Sequence, residues 1–170
     1  MITKVISGAQ TGADLGGLVA AKLHGIPTGG WIPKGFKTQQ GPRPQYASIF
    51  NLREHSSESY KDRTWDNIAD SDATIRFACD FKSAGERCTL NGIKSYNKAY
   101  VDININRTNP IIRTVDVVAI RELLDAIEIV NIAGNSHKTW AGMQFYVQTF
   151  LSYVFLELGF NRIIMPKEYS

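Results

Sequence analysis

The chain has 170 residues, 44% of them hydrophobic and 21% charged, with a net charge of +3. That is enough for one domain with a sizeable core and only marginally enough for two. Lysines and arginines are scattered rather than striped, which suits a protein that handles anions and excludes a dedicated nucleic-acid surface. Cys79 and Cys88 have no metal-ligand spacing to a histidine, so no zinc site is expected and a reduced, cytoplasmic setting is the simplest reading. Met1-Ile2-Thr3-Lys4 runs straight into a strand, so no secretory leader is expected.

In chain order, Thr3 to Ser7 is a β-branched strand candidate ending on Gly8. From Ala13, apolar residues recur at helical spacing (Leu15, Leu18, Val19, Leu23) up to Gly25. Strand, glycine-bearing turn and helix make the front half of a βαβ unit. The turn Gly8-Ala9-Gln10-Thr11-Gly12-Ala13-Asp14 is neither GxGxxG nor a nucleoside-triphosphate P-loop. Its glycines allow a ligand close to the main chain, and the first amides of the following helix favour an oxyanion. Ile26 to Trp31 reads as a short second strand. A long proline- and glycine-rich connection follows, of a length that is uncommon unless functional or disordered. Trp31, Phe36 and Tyr46 argue that it is ordered.

A short helix is predicted over Tyr60 to Asp70, with Ser59 or Ser57 as its cap, and Asp70-Ser71-Asp72 as a turn. Ala73 to Ala78 is apolar enough for a strand inside a sheet. Ser83 to Thr89 reads as a second glycine-bearing loop, Leu90 to Tyr96 as a helix, and Ala99 to Ile105 as a strand. Thr114 to Ile127 is an amphipathic helix, Ile129 to Ala133 the last strand, and Trp140 to Leu158 a long helix stopped by Gly159. Gln148, Ser152 and Glu157 break the apolar run from Phe145 to Phe160, so no membrane span is expected. Arg162 to Ser170 is a tail. Alternating strands and helices predict an α/β, Rossmann-like three-layer fold, a mostly parallel sheet with helices on both faces. In such folds ligands sit beyond the carboxyl ends of the strands, where strand order reverses. The four loops Gly8–Asp14, Gly30–Gly35, Ser83–Thr89 and Asn131–Asn135 are expected to converge there.

Each loop offers candidates. Gly8, Ala9, Gln10, Thr11, Gly12 and Asp14 supply amides, an amide side chain, a hydroxyl and a carboxylate suited to organising the loop. Trp31 can stack on a heterocycle while Lys34 neutralises phosphate. Arg63 either clamps phosphate or pairs with a nearby acid such as Asp66, Asp70 or Asp72. Gly85, Arg87 and Thr89 would form a second anion cradle, with Thr89 at a helix start. Asn135 and Trp140 open the last helix and could read a ring edge. His24, His55 and His137 are expected to be exposed and inert. No metal site and no nucleophile–histidine pairing can be argued.

Ser7 to Asp14, followed by Gly25-Ile26-Pro27-Thr28-Gly29-Gly30-Trp31-Ile32-Pro33-Lys34-Gly35, resembles the molybdenum-cofactor-carrier family. Arg63-Thr64-Trp65-Asp66-Asn67, Asp70 to Thr74, and Asn131-Ile132-Ala133-Gly134 match it in the same order. That family belongs to the SLOG group of Rossmann-like domains, which also holds cytokinin-activating nucleotide hydrolases and nucleotide-sensing domains of bacterial defence proteins. The resemblance implies one domain over residues 1–170, with its core at about 4–158. It also implies a homo-oligomer, dimer or tetramer, that carries the molybdenum cofactor, a pterin with a phosphate, and needs no cofactor of its own. Two departures stand out. Ala9 replaces a second glycine of the first loop, and Glu86-Arg87 interrupts the second.

The hydrolase branch places a catalytic glutamate after its Gly-Thr. Here Thr89 is followed by Leu90, Asn91, Gly92 and Ile93. The expectation is therefore a non-catalytic binding protein for a phosphorylated heterocycle. The alternatives are a sponge for an NAD-derived or cyclic nucleotide signal, and a nucleoside-monophosphate hydrolase using a relocated acid such as Glu86.

Overall fold

A computed structural model describes residues 1–163, so most of the predicted tail lies outside the described residues. The main elements are β1 (Lys4–Ile6), α1 (Ala13–Leu23), β2 (Thr28–Gly29), β3 (Trp31–Ile32), β4 (Lys37–Thr38), β5 (Gly41–Pro42) and α2 (Tyr46–Ile49). They continue with β6 (Arg53–Glu54), α3 (Tyr60–Ala69), β7 (Ala73–Ala78), α4 (Ala84–Ser95), β8 (Ala99–Asn104), α5 (Thr114–Asp125), β9 (Ile129–Gly134) and α6 (Met143–Glu157). Five strands form one sheet in the order β2-β1-β9-β7-β8, and every pair in it is parallel. This is the expected Rossmann-like α/β arrangement.

Alternation along the strands sorts the two faces. Val5, Ile75, Phe77, Ile103, Val130 and Ile132 join residues of α1, α5 and α6 in one buried cluster. Thr74, Arg76 and Asn131, at the intervening positions, are also buried and meet the side occupied by α3 and α4. β7 is buried along its whole length, which is why it reads as a continuous apolar run broken only by Thr74 and Arg76. β8, at the sheet edge, is largely exposed.

Two predicted elements differ. The second strand splits at Gly30: β2 pairs with β1, whereas β3 pairs with β6 in a separate two-stranded sheet. The supposed loop Ser83 to Thr89 is instead the first two turns of α4, capped by Ser83, whose Oγ accepts the Glu86 N–H at 3.3 Å. Asp72 behaves as the turn reading requires, its carboxylate accepting the amides of Glu128 and Ile129 at 3.0 and 2.8 Å. Among the described residues, no helix is long and apolar enough to cross a membrane.

Candidate functional site

Strand order reverses around β1, and the carboxyl end of β9, with the segments that follow β1 and β7, opens onto a cavity of about 480 Å³. Gln10 and Asp14 line it from the first βα unit, Tyr60, Lys61, Arg63 and Asn67 from α3, Ser83 to Glu86 from the start of α4, and Asn131 to Ser136 from β9 and its exit. Crevices at such reversals are where open α/β sheets bind ligands.

α3 is fixed by Asn67, which is buried. Its side chain accepts the Trp31 N–H at 2.8 Å and donates to the Trp31 carbonyl at 3.0 Å, standing in for a neighbouring strand. Arg63 lies four residues earlier on the same face. Its guanidinium reaches over the β1 exit, where Nη1 donates to Asp14 Oδ2 at 3.3 Å. Both side chains are nearly buried, at 11% and 7% exposure. Burial pushes the Asp14 carboxyl above its ordinary range, against the pull of Arg63 and of the Gln10 N–H. Arg63 Nε is buried without any partner. Arg63 thus lines the cavity with its guanidinium held by a single long bond. Gly8 makes this possible: a Cβ there would lie 1.6 Å from Arg63 Nη1.

Three amides of the first loop are engaged within the protein. Gln10 N–H donates to Asp14, Thr11 N–H to Gln10 Oε1, and Ala13 N–H to the Asn135 carbonyl. Gly12 takes a φ of 106°, and a Cβ there would meet the Asn135 carbonyl at 2.5 Å. These glycines admit Arg63 and the β9 exit loop, so protein groups fill the space in which a ligand was foreseen. Ala9 holds a φ of 53° without glycine's freedom.

Ala84 and Gly85, at the start of α4, line the cavity, and their amides have no intrahelical partner by position. Here lies the second charged group. Glu86 is 3% exposed and pairs with Arg76 of β7, Nη1 to Oε2 at 3.5 Å. Arg76 is committed mainly elsewhere: it binds both oxygens of Asp102, its register neighbour on β8, at 2.8 and 2.5 Å. It also donates to the Glu86 carbonyl at 3.1 Å. Asn135 donates to Glu86 Oε1 at 3.3 Å, while Oε2 has no hydrogen-bond partner. Burial, reinforced by the charges of Asp14 and Asp102, pushes the Glu86 carboxyl up to about 7 despite Arg76 and Asn135.

That shift has a consequence for stability. A carboxyl held near 7 in the fold and near 4.5 when unfolded costs nothing below the lower value. Its cost grows as pH rises between the two and is complete above the higher. The gap in unfolding free energy between Glu86→Gln and the unaltered protein therefore widens in favour of the variant by about 3 kcal/mol from acid to alkaline pH. Urea titrations at several pH values check this; a gap independent of pH contradicts it.

Of the residues singled out from the sequence, Gln10, Asp14, Arg63, Gly85, Thr89 and Asn135 line the one cavity. Thr89 sits in the second turn of α4, not at its start, and donates back to the Gly85 carbonyl at 3.1 Å. Asn135 is saturated: its carbonyl accepts the amides of Cys79 and Asp80, and its NH₂ serves the Asp80 carbonyl and Glu86. It positions Glu86 and has no group left for a ring edge. Thr11 hydrogen-bonds Gln39. Gln39 is what the long connection contributes to the cavity, in place of Trp31 and Lys34.

Trp31 is engaged on the far side by Asp70 at 2.9 Å and by the Arg53 guanidinium 4.0 Å above its ring. Lys34 is exposed, Arg87 turns back to the Lys82 carbonyl, and Trp140 packs beside Tyr146. None of the four lines the cavity. Among the histidines, His24 is buried against the Phe160 carbonyl and His55 pairs with Asp66, contrary to expectation. Among the described residues, no three histidine, cysteine or acidic side chains cluster as a metal would require.

The profile of the circularly permutated YpsA SLOG family (cpYpsA) matches residues 5–155. A crystal structure named "Putative molybdenum carrier protein" from Syntrophus aciditrophicus SB is similar at 32% identity, with a TM-score of 0.81, over 91% of this chain and 95% of that one. No curated protein matches the chain. With the match spanning nearly all the described fold and the neighbour agreeing in both sequence and architecture, the chain belongs to the circularly permuted YpsA SLOG family.

Proposed function

We propose that this protein binds a phosphorylated heterocycle in the cavity between α3 and α4 and leaves it intact. The observation that carries this reading is Arg63: a nearly buried guanidinium held by one 3.3 Å bond to Asp14, in a cavity wall it shares with Ala84 and Gly85 at the start of α4. A planar fork of donors beside a helix N-terminus is suited to a phosphate. Tyr60 and Lys61 at the rim offer an aromatic face and a further cation. The name of the structural neighbour makes the molybdenum cofactor the first candidate for the cargo. We propose that it is carried in a homo-oligomer. The test is mass spectrometry of small molecules released when natively purified protein is denatured. A phosphorylated pterin or nucleotide from the unaltered protein, absent from Arg63→Met, is the expected result. Equal yields from both contradict the role given to Arg63.

One observation favours a second reading, a nucleoside-monophosphate hydrolase. Glu86 lines the same cavity with a carboxyl poised near neutrality, as a general acid–base requires. Free base released from AMP or GMP by the unaltered protein but not by Glu86→Gln would establish it in place of simple binding.

A further inference from the structure

The binding reading leaves one feature of the cavity unused. Glu86 adds a carboxyl to a wall that already holds Asp14, although the ligand envisaged is itself an anion. We propose that the cavity accepts its anionic ligand only while Glu86 carries a proton, so that the ligand and an ionised Glu86 exclude one another. This rests on the binding reading and gives that site its pH control.

The groups around Glu86 support this. Arg76, from β7, is the cation nearest it, but the Nε and Nη2 edge of its guanidinium binds Asp102 from β8, and Nη1 donates to the Glu86 main-chain carbonyl, leaving Glu86 Oε2 3.5 Å away without a hydrogen bond. From α1, Asp14 faces the same cavity, and its charge acts against ionisation of Glu86. From α3, Arg63 is paired with Asp14 and Lys61 lies at the rim. On α4 itself, Arg87 is turned away to the Lys82 carbonyl. Asp80, between β7 and α4, meets Asn135 through its main chain, while its carboxylate accepts the Lys82 N–H. Arg76 alone in this set reaches Glu86, and its charge is shared with Asp102. A phosphate entering beside Glu86 raises the cost of the ionised form further, so binding draws in a proton. Asn135, donating to Oε1, directs that proton to Oε2.

The experiment is calorimetric titration with GMP, and with inorganic phosphate as the smallest anion, from about pH 5.5 to about pH 8.5. It uses the unaltered protein, Glu86→Gln and Asp102→Asn. GMP and phosphate titrate in this range themselves, and taking the ratio of each Kd to that of Glu86→Gln cancels their contribution. The ratio is expected to stay near one in acid. Above about pH 7 it should weaken towards tenfold per pH unit, with about one extra proton taken up on binding. Asp102→Asn leaves the cavity lining untouched while releasing Arg76 to Glu86, and it moves the onset to lower pH. A ratio flat across the range, or one that favours the unaltered protein as pH rises, overturns the proposal and leaves the binding reading standing. Absence of binding by all three proteins at every pH removes the binding reading, and this inference with it.

Discussion

Replacing Arg63 by methionine costs this protein both its ligand and part of its stability. Affinity for a phosphorylated ligand falls by about two orders of magnitude, the worth of a charge-assisted pair of hydrogen bonds. Removing the guanidinium also leaves Asp14 buried beside no cation, a situation worth about 3 kcal/mol unless the carboxyl takes up a proton. Lysine restores little, because a point charge on a different stem does not reproduce a planar fork. Gly8→Ala reproduces the binding loss without touching any charge, since its Cβ would occupy the place of Nη1. The decisive comparison is Arg63→Met with Asp14→Asn. The second change restores the unfolding midpoint without restoring affinity. If it restores both, Arg63 matters only for folding.

Arg76→Ala is the second large effect, and it acts on the fold. Arg76 is among the largest fully buried side chains of the described chain, and it alone stands between Asp102 and Glu86. Breaking a buried network by removing its cation costs about 3–5 kcal/mol. Phe81 and Tyr100, whose ring centres lie 5.0 and 5.5 Å from the guanidinium carbon, lose a packing partner as well. Because Arg76 is shielded from solvent ions, the loss measured by urea unfolding changes little with added salt. A loss below about 1 kcal/mol, the range of surface pairs, contradicts this assignment.

Much of the scaffold was legible because its signals are local. Ala73 to Ala78 is the β7 strand to the residue, since a run buried on both faces needs neither turn nor partner to be recognised. The start of α4 is hidden in the sequence because Gly85 and the charged pair Glu86-Arg87 resemble a loop. The available signal was Ser83 with Glu86 three residues on, the spacing of a capping box. Only half of that box forms: the serine caps, while the glutamate side chain turns to Asn135 and the cavity.

The site was less legible, because it depends on pairings between distant residues. Nothing local in Arg63 announces Asp14, which is 49 positions away. The neighbouring acids Asp66 and Asp70 were closer in sequence but serve His55, Trp31 and Arg53. Glu86 gains its character from the register that sets Arg76 opposite Asp102, which only the assembled sheet reveals. Trp31 reads as a ligand residue because it lies in the loop Gly30–Gly35 at the end of the second strand. The break at Gly30 sends it instead into β3, where Arg53 covers its ring.

A crystal structure of the protein soaked with GMP is the most direct measurement. The phosphate is predicted to lie against the Arg63 fork and the amides of Ala84 and Gly85, with the base inside the cavity near Glu86. Density for the base over Trp31 with its phosphate on Lys34, and an empty cavity between α3 and α4, would contradict the account.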